Sequence, residues 1–119
     1  MSTLARSFVL VPFLFISVGL LGQARLRQEN IKNDSKYIGK KKFNWRIYVD
    51  APQPVLNSIR CVQYTLHKTF KEPIQNKCNA AATQFGYSAI GWGEFSVKVK
   101  VTYLDNREEY FEHWLKLFN

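Results

Sequence analysis

FSVKVKVTYL, residues 95–104, decides the architecture. Phe95, Val97, Val99, Val101 and Tyr103 fall on one face, with Lys98, Lys100 and Thr102 on the other. Successive side chains of a pleated strand leave opposite faces, so this alternation predicts a half-buried β-strand. Asp105-Asn106 supplies a tight turn, and EYFEHWLKLF (109–118) follows. That segment is open to helix or strand. Alternation groups Phe111, His113, Leu115 and Leu117, which fits a final strand pairing back across the turn.

Upstream the same period recurs. FNWRIYVD (43–50) sets Trp45, Ile47 and Val49 against Arg46 and Tyr48, and Ala51-Pro-Gln-Pro54 then breaks the strand. IRCVQYTLH (59–67) reads as another strand, with Val62, Tyr64 and Leu66 inward and Arg60 and Gln63 outward. LRQENIKNDSKYIG (26–39) fits a polar edge strand ending at Gly39, while Gly86, Gly91, Gly93 and Ala80–Ala82 mark loops or weak edges. Short strands at this spacing, with no helical period after residue 40, predict an all-β sandwich of immunoglobulin size over 43–119. The chain has 119 residues, 46% of them hydrophobic, enough for one packed domain.

Residues 7–24, SFVLVPFLFISVGLLGQA, carry no charge. As a signal peptide the run would be cut after Ala24, with Gly22 at the −3 position. As a membrane helix it reaches the lower end of the ~17–25 residues required. Seven bases follow within residues 25–42, against Arg6 alone before the run. Lys and Arg in excess stay on the cytoplasmic side and hinder export, which favours an uncleaved N-terminal hydrophobic helix with the domain in the cytoplasm. Secretion or a periplasmic location is the alternative. Segment 25–42 then reads as a basic juxtamembrane stretch merging into the first edge strand. Arg25, Arg27, Lys40, Lys41 and Lys42 would attract an anionic membrane surface, or simply sit in solvent.

The formal net charge is +8, but residues 43–119 hold nine bases against seven acids. Basicity that local does not suit a nucleic-acid-binding face, so no nucleic-acid partner is expected. Cys61 and Cys78 are compatible with one bridge or two free thiols. A cytoplasmic domain implies free thiols, and a secreted one a Cys61–Cys78 bridge.

Catalytic signatures are absent: no GxSxG elbow, no P-loop and no GxGxxG. His67, His113, Cys61 and Cys78 lack zinc spacing, so no metal or cofactor is expected. Cys61 and His67 lie six residues apart on one strand, roughly 20 Å, too far to form a nucleophile pair. The chain does not read as an enzyme.

Two short stretches remain. LHKTF (66–70) ends a strand with a histidine, a hydroxyl and an aromatic together, and GWGEF (91–95) places an indole between two glycines. Glycine admits backbone angles that other residues avoid, a way to hold Trp92 out at the mouth of a loop. Singly, Phe70 reads as a core plug beneath its loop and Trp92 as a cap on the sandwich. Together, SIRCVQYTLHKTFKEP (58–73) followed by GWGEFSVKVKVTYLDN (91–106) resembles the YEATS domain family. FNWRIYVDAP agrees with it, and SKYIG and EHWLKL are similar to its bacterial branch. The resemblance spans about residues 26–119.

It implies an immunoglobulin-like β-sandwich and a non-catalytic binding module that reads acylated lysine in a protein or peptide. Phe70 and Trp92 would face the two sides of the acyl-amide. His67 would line the channel, and Thr69 would bond the amide. The Trp92 N–H, between Gly91 and Gly93, would meet the carbonyl, and Phe95 would floor the pocket. Phe43 is the residue available for a further family aromatic before Trp45. In a bacterial cell no histone is expected as the ligand. The competing reading is a structural or protein-interaction sandwich at the membrane with a vestigial pocket.

Overall fold

The computed structural model describes residues 25–118. The expected N-terminal helix falls on residues 1–24, outside the described residues. Among those described, no helix is long and apolar enough to cross a membrane.

A single 3-10 turn at Gln28–Asn30 leads into β1 (Ile31–Gly39), β2 (Lys42–Val49), a short α1 (Gln53–Asn57) and β3 (Ile59–Thr65). Then come β4 (Ile74–Cys78), a 3-10 turn at Ala81–Thr83, β5 (Tyr87–Gly91), β6 (Ser96–Tyr103) and β7 (Glu108–Trp114). All pairings are antiparallel, in one sheet of order β1-β2-β5 and another of order β4-β3-β6-β7.

The alternation in 95–104 works as expected. Val97, Val99, Val101 and Tyr103 are buried from β6, between β3 and β7. Phe43, Trp45, Ile47 and Val49 answer them from β2. Such side chains each contribute ~1.5–3 kcal/mol on full burial, and their interdigitation joins the sheets. The C-terminal segment resolves as strand β7, in register with β6 from Ser96↔Trp114 to Thr102↔Glu108.

Three local expectations need correction. The prolines end β2 as expected, but a helix follows them where none was expected: Pro52 caps α1 and Pro54 sits in its first turn. Proline is tolerated there, where the missing N–H has no intrahelical partner. Strand β4 was missed because every residue of Ile74–Cys78 is at least partly exposed, leaving no apolar period. Strand β5 was missed because its YSAIG sequence is weak in strand formers. In β3 the register shifts between Ile59 and Cys61, so Ile59 and Val62 are both buried while Arg60 points outward between them. A bulge accounts for that two-residue interruption.

The free thiols expected of a cytoplasmic domain are not found: Cys61 and Cys78 form the bridge that the sequence also allowed, with Cα atoms 4.1 Å apart at directly opposed positions of β3 and β4. With β4 unrecognised, Cys78 reads as a loop residue and nothing in the sequence brings it opposite Cys61.

The free edges of the sandwich are tied across. Asn33 of β1 accepts from His113 Nε2 of β7 at 2.7 Å and donates to the Lys116 carbonyl at 2.8 Å. Ser35 donates to the Leu117 carbonyl. Burial of His113 between the edges lowers its pKa from the ordinary 6.5.

The basic residues expected to form one membrane-facing patch do not. Arg25 and Arg27 precede β1, and Lys40–Lys42 lie at its far end, nine residues further along a strand. That separates the groups by roughly 30 Å. Arg27 is also within 3.9 Å of Glu29.

Candidate functional site

Strand directions bring four connections to one end of the sandwich: the β1–β2 turn, the β3–β4 loop, the β5–β6 loop and the segment after β7. Between the β3–β4 and β5–β6 loops at this end lies an open groove of about 570 Å³. His67, Thr69, Phe70, Gly91, Trp92, Gly93 and Phe95 all line it, joined by Lys42, Trp45, Ile90 and Glu94. Thus the two motifs, about twenty residues apart in sequence, meet in space.

The floor is an aromatic cluster. Trp45 is 1% exposed, and its ring centroid lies 6.4 Å from Phe70 and 6.2 Å from Phe95 in edge-on geometry. Phe70 and Phe95 are 5.4 Å apart, and His67 tilts against Phe95 at 6.0 Å. Edge-to-face pairs of this kind add ~0.5–1.5 kcal/mol beyond burial, so Phe70 and Phe95 are held by the core. Trp92 is 71% exposed and makes no ring contact with any described aromatic.

The polar groups are ordered locally. Thr69 Oγ1 lies 2.9 Å from His67 Nδ1, and the Thr69 N–H donates to the same nitrogen at 3.3 Å. A backbone N–H can only donate, so Nδ1 acts as the acceptor of the Thr69 N–H. The Thr69 hydroxyl then spends its hydrogen on His67 and keeps its lone pairs free to accept.

Glu94 Oε2 accepts the backbone N–H groups of Leu117 at 2.8 Å and Phe118 at 3.1 Å. Those N–H groups, Phe118 first, lower its pKa, with the Trp114 side chain and the Lys116 charge adding to the effect. The acid of GWGEF thus fastens its loop to the chain's C-terminal segment.

Two expectations about the pocket change. Neither Gly91 nor Gly93 has a positive φ. A Cβ at Gly93 would meet nothing within 4 Å, and one at Gly91 would meet only Trp45 Nε1, at 3.7 Å. The glycines leave space beside Trp92 and do not supply an unusual backbone. Phe43 does not line the groove; it is buried against Tyr37 and Phe118. Trp45, two residues on, takes the place at the groove's base. Alternation had assigned Trp45 only to the core, and a core strand that ends at the groove serves both purposes. Glu94 lies within GWGEF and Ile90 beside it, while Lys42, distant from both motifs in sequence, carries no signal of its own for the groove.

Residues 43–116 match the family model described as a prokaryotic YEATS domain. The chain belongs to that family. Among curated relatives, the Protein AF-9 homolog of Eremothecium gossypii is 35% identical over 78 residues, 61% of this chain and 36% of that protein. The Saccharomyces cerevisiae homolog is 32% identical over the same length, covering 33% of its own chain. The YEATS chain thus spans about a third of those relatives. Among solved structures, the Yaf9 YEATS domain bound to H3K27ac superposes with a TM-score of 0.65 at 25% identity, covering 75% of this chain and 70% of that one. The Yaf9 domain recognising an H3K122suc peptide gives 0.63 at 26% identity, covering 73% and 68%. The immunoglobulin-like YEATS sandwich is therefore the fold. These likenesses are to AF-9 homologues and Yaf9 domains, and no described helix is able to cross a membrane. The likenesses to AF-9 homologues and Yaf9 domains go against the expected membrane-anchored, cytoplasmic placement, and the distance between Arg25 and Arg27 and Lys40–Lys42 goes against their role as a membrane-binding patch.

Proposed function

We propose that this YEATS domain is a non-catalytic reader of acylated lysine, holding the acyl-amide in the groove between Phe70 and Trp92. The convergence of LHKTF and GWGEF on one aromatic-floored groove carries the reading. Relatives in the same fold that are described as bound to acetylated and succinylated peptides support it.

The chemistry follows from the groove's own atoms. The acylated side chain enters between the Phe70 ring and the Trp92 indole, flat amide against aromatic face. The amide N–H donates to the Thr69 hydroxyl, whose hydrogen is already committed to His67. The carbonyl accepts from the Trp92 backbone N–H, and the acyl tip rests toward Phe95 and Trp45. An unmodified lysine is disfavoured for two reasons. Its ammonium would leave water for an aromatic lining. The carboxylate nearby, Glu94, is engaged by Leu117 and Phe118, while Lys42 adds a like charge.

Titration of the protein's tryptophan fluorescence with acylated and unmodified versions of one peptide tests the reading. The acylated peptide should give a saturable change and the unmodified one none. Thr69→Val should weaken the acylated peptide several-fold, because a buried amide N–H would lose its acceptor. Equal responses to both peptides would remove the proposal.

A further inference from the structure

The groove end of the molecule is charged in one sense. The four connections at this end carry Lys40, Lys41, Lys68, Lys71 and Lys116, with Lys42 at the start of β2, against Glu72 and Glu94. Glu94 already accepts two backbone N–H groups. None of the six lysines lies within ion-pair distance of a carboxylate among the described residues. The β6–β7 turn at the opposite end, about 25 Å away along β6, instead carries Asp105, Glu108 and Glu109 with Arg107 ion-paired to Asp105.

The β1–β2 turn adds an independent observation. Gly39 pairs with Lys42, leaving Lys40 (φ 56) and Lys41 (φ 61) as the two central residues, both in the left-handed region. Two-residue turns of this kind favour Asn-Gly, because a Cβ is strained there. Two lysines occupy the turn against that preference. Departures from local preference are expected at functional or strained positions. Here the turn holds two ammonium groups beside Lys42, which lines the groove. The same end exposes apolar surface around the opening, at Ile90, Trp92, Trp114 and Phe118. A bound peptide would cover it.

We propose that the groove takes its acylated lysine from an acidic peptide, one with Asp or Glu within a few residues on both sides. Its carboxylates face Lys40–Lys42 across one rim and Lys68 and Lys71 across the other. The selection rests on the acyl-lysine reading above and goes beyond it, naming the surroundings of the modified residue. A segment rich in Lys and Arg is repelled by the same rim, however well its acyl group fits.

Three peptides with one acetyl-lysine at the centre test this on the full chain. They carry acidic, neutral and basic flanks, and binding is followed by fluorescence anisotropy of a label on the peptide. At about 10 mM salt, where screening extends to ~30 Å, the acidic peptide should bind roughly tenfold tighter than the neutral one, and the basic peptide weakest. At about 150 mM salt, with screening at ~8 Å, the spread should shrink several-fold. Lys40→Asn with Lys41→Gly supplies the residues the turn prefers, so this variant should fold at least as stably. It should lose part of the acidic preference, that from one rim, while binding the neutral peptide as before. Acetyl-dependent binding of the neutral peptide with no order among the flanks, or with the order inverted, overturns the inference and leaves the reader function standing. Acidic peptide bound equally with and without acetylation also overturns it, by exposing a simple anion-binding surface. Failure of every acetylated peptide to bind better than its unmodified form would defeat the reader function itself, and this inference with it.

Discussion

Phe70 and Trp92 stand on opposite loops of the same groove and are held in different ways. Phe70 leans on Trp45 and Phe95, so its ring is partly core. Its loop is the end of the β3–β4 hairpin, closed at the base by the Cys61–Cys78 disulfide. Trp92 is largely in water, on a loop tied down through the neighbouring carboxylate of Glu94. One jaw of the groove is built into the fold and the other is mounted on it. Changes on the Phe70 side should therefore alter stability and binding together, and changes at Trp92 binding alone.

The largest expected effect falls on the hairpin. Closing a loop with a sequence separation of 17 removes freedom from the unfolded chain. In the loop-entropy account this is worth about 2–4 kcal/mol. The Cys61→Ser, Cys78→Ser double variant should lose that much stability in denaturant unfolding. It should also bind acyl peptide more weakly, because the loop carrying His67, Thr69 and Phe70 is then held by β4 pairing alone. Unchanged stability would mean that the bridge adds nothing to the built-in jaw.

Phe70→Ala comes next. A fully buried phenylalanine costs ~3–5 kcal/mol to truncate, and a half-buried one at a groove wall should cost roughly 1–2 kcal/mol. Thermal unfolding should shift down by several degrees, since ~1 kcal/mol moves a domain of this size by about 4–8 °C. Acyl-peptide binding should fall in the same variant. Loss of binding with no loss of stability would break the comparison, because Phe70 would then be as independent of the core as Trp92.

The core on which Phe70 leans is legible in the sequence. Alternation in FSVKVKVTYL, FNWRIYVD and IRCVQYTLH marks the strands that build the core, because burial on one face imposes a period of two. The two flanking strands escaped notice for the same reason. Ile74–Cys78 buries no residue fully, and Tyr87–Gly91 is short and weakly patterned, so neither displays the period. Losing β4 also lost the disulfide. The groove residues stood out through their likeness to a family, while Trp45 hid among core residues because its alternation is that of a core residue.

A pH titration probes the seam between the sheets, remote from both jaws in mechanism. His113 donates from Nε2 to Asn33, and burial holds its pKa below the ordinary 6.5. The unfolded chain therefore binds a proton at higher pH than the folded one. Its contribution is fully present above pH ~6.5 and is lost as pH falls toward the lower folded value. Stability should decline as pH falls below about 6.5 in the parent and less steeply in His113→Gln. Parallel profiles would show that the buried ring does not govern the seam.

The smallest effect on stability, and the most informative on binding, belongs to Trp92→Ala. The indole is 71% exposed and has no ring partner, so its removal should change unfolding free energy by no more than about 0.5 kcal/mol. Binding is another matter. With one face of the amide left to water, the stacking contribution of ~0.5–1.5 kcal/mol disappears, roughly a two- to twelvefold loss in affinity. Trp92→Phe should restore part of it, because a smaller aromatic face still stacks. The Trp45 and Trp114 indoles remain in the variant, so anisotropy of a labelled peptide is the cleaner readout. A stability loss as large as that of Phe70→Ala would make Trp92 a cap on the core, and the distinction between a built-in and a mounted jaw would collapse. Full stability with weakened acyl-dependent binding, partly rescued by phenylalanine, would locate the function of the indole in the space it leaves open beside it.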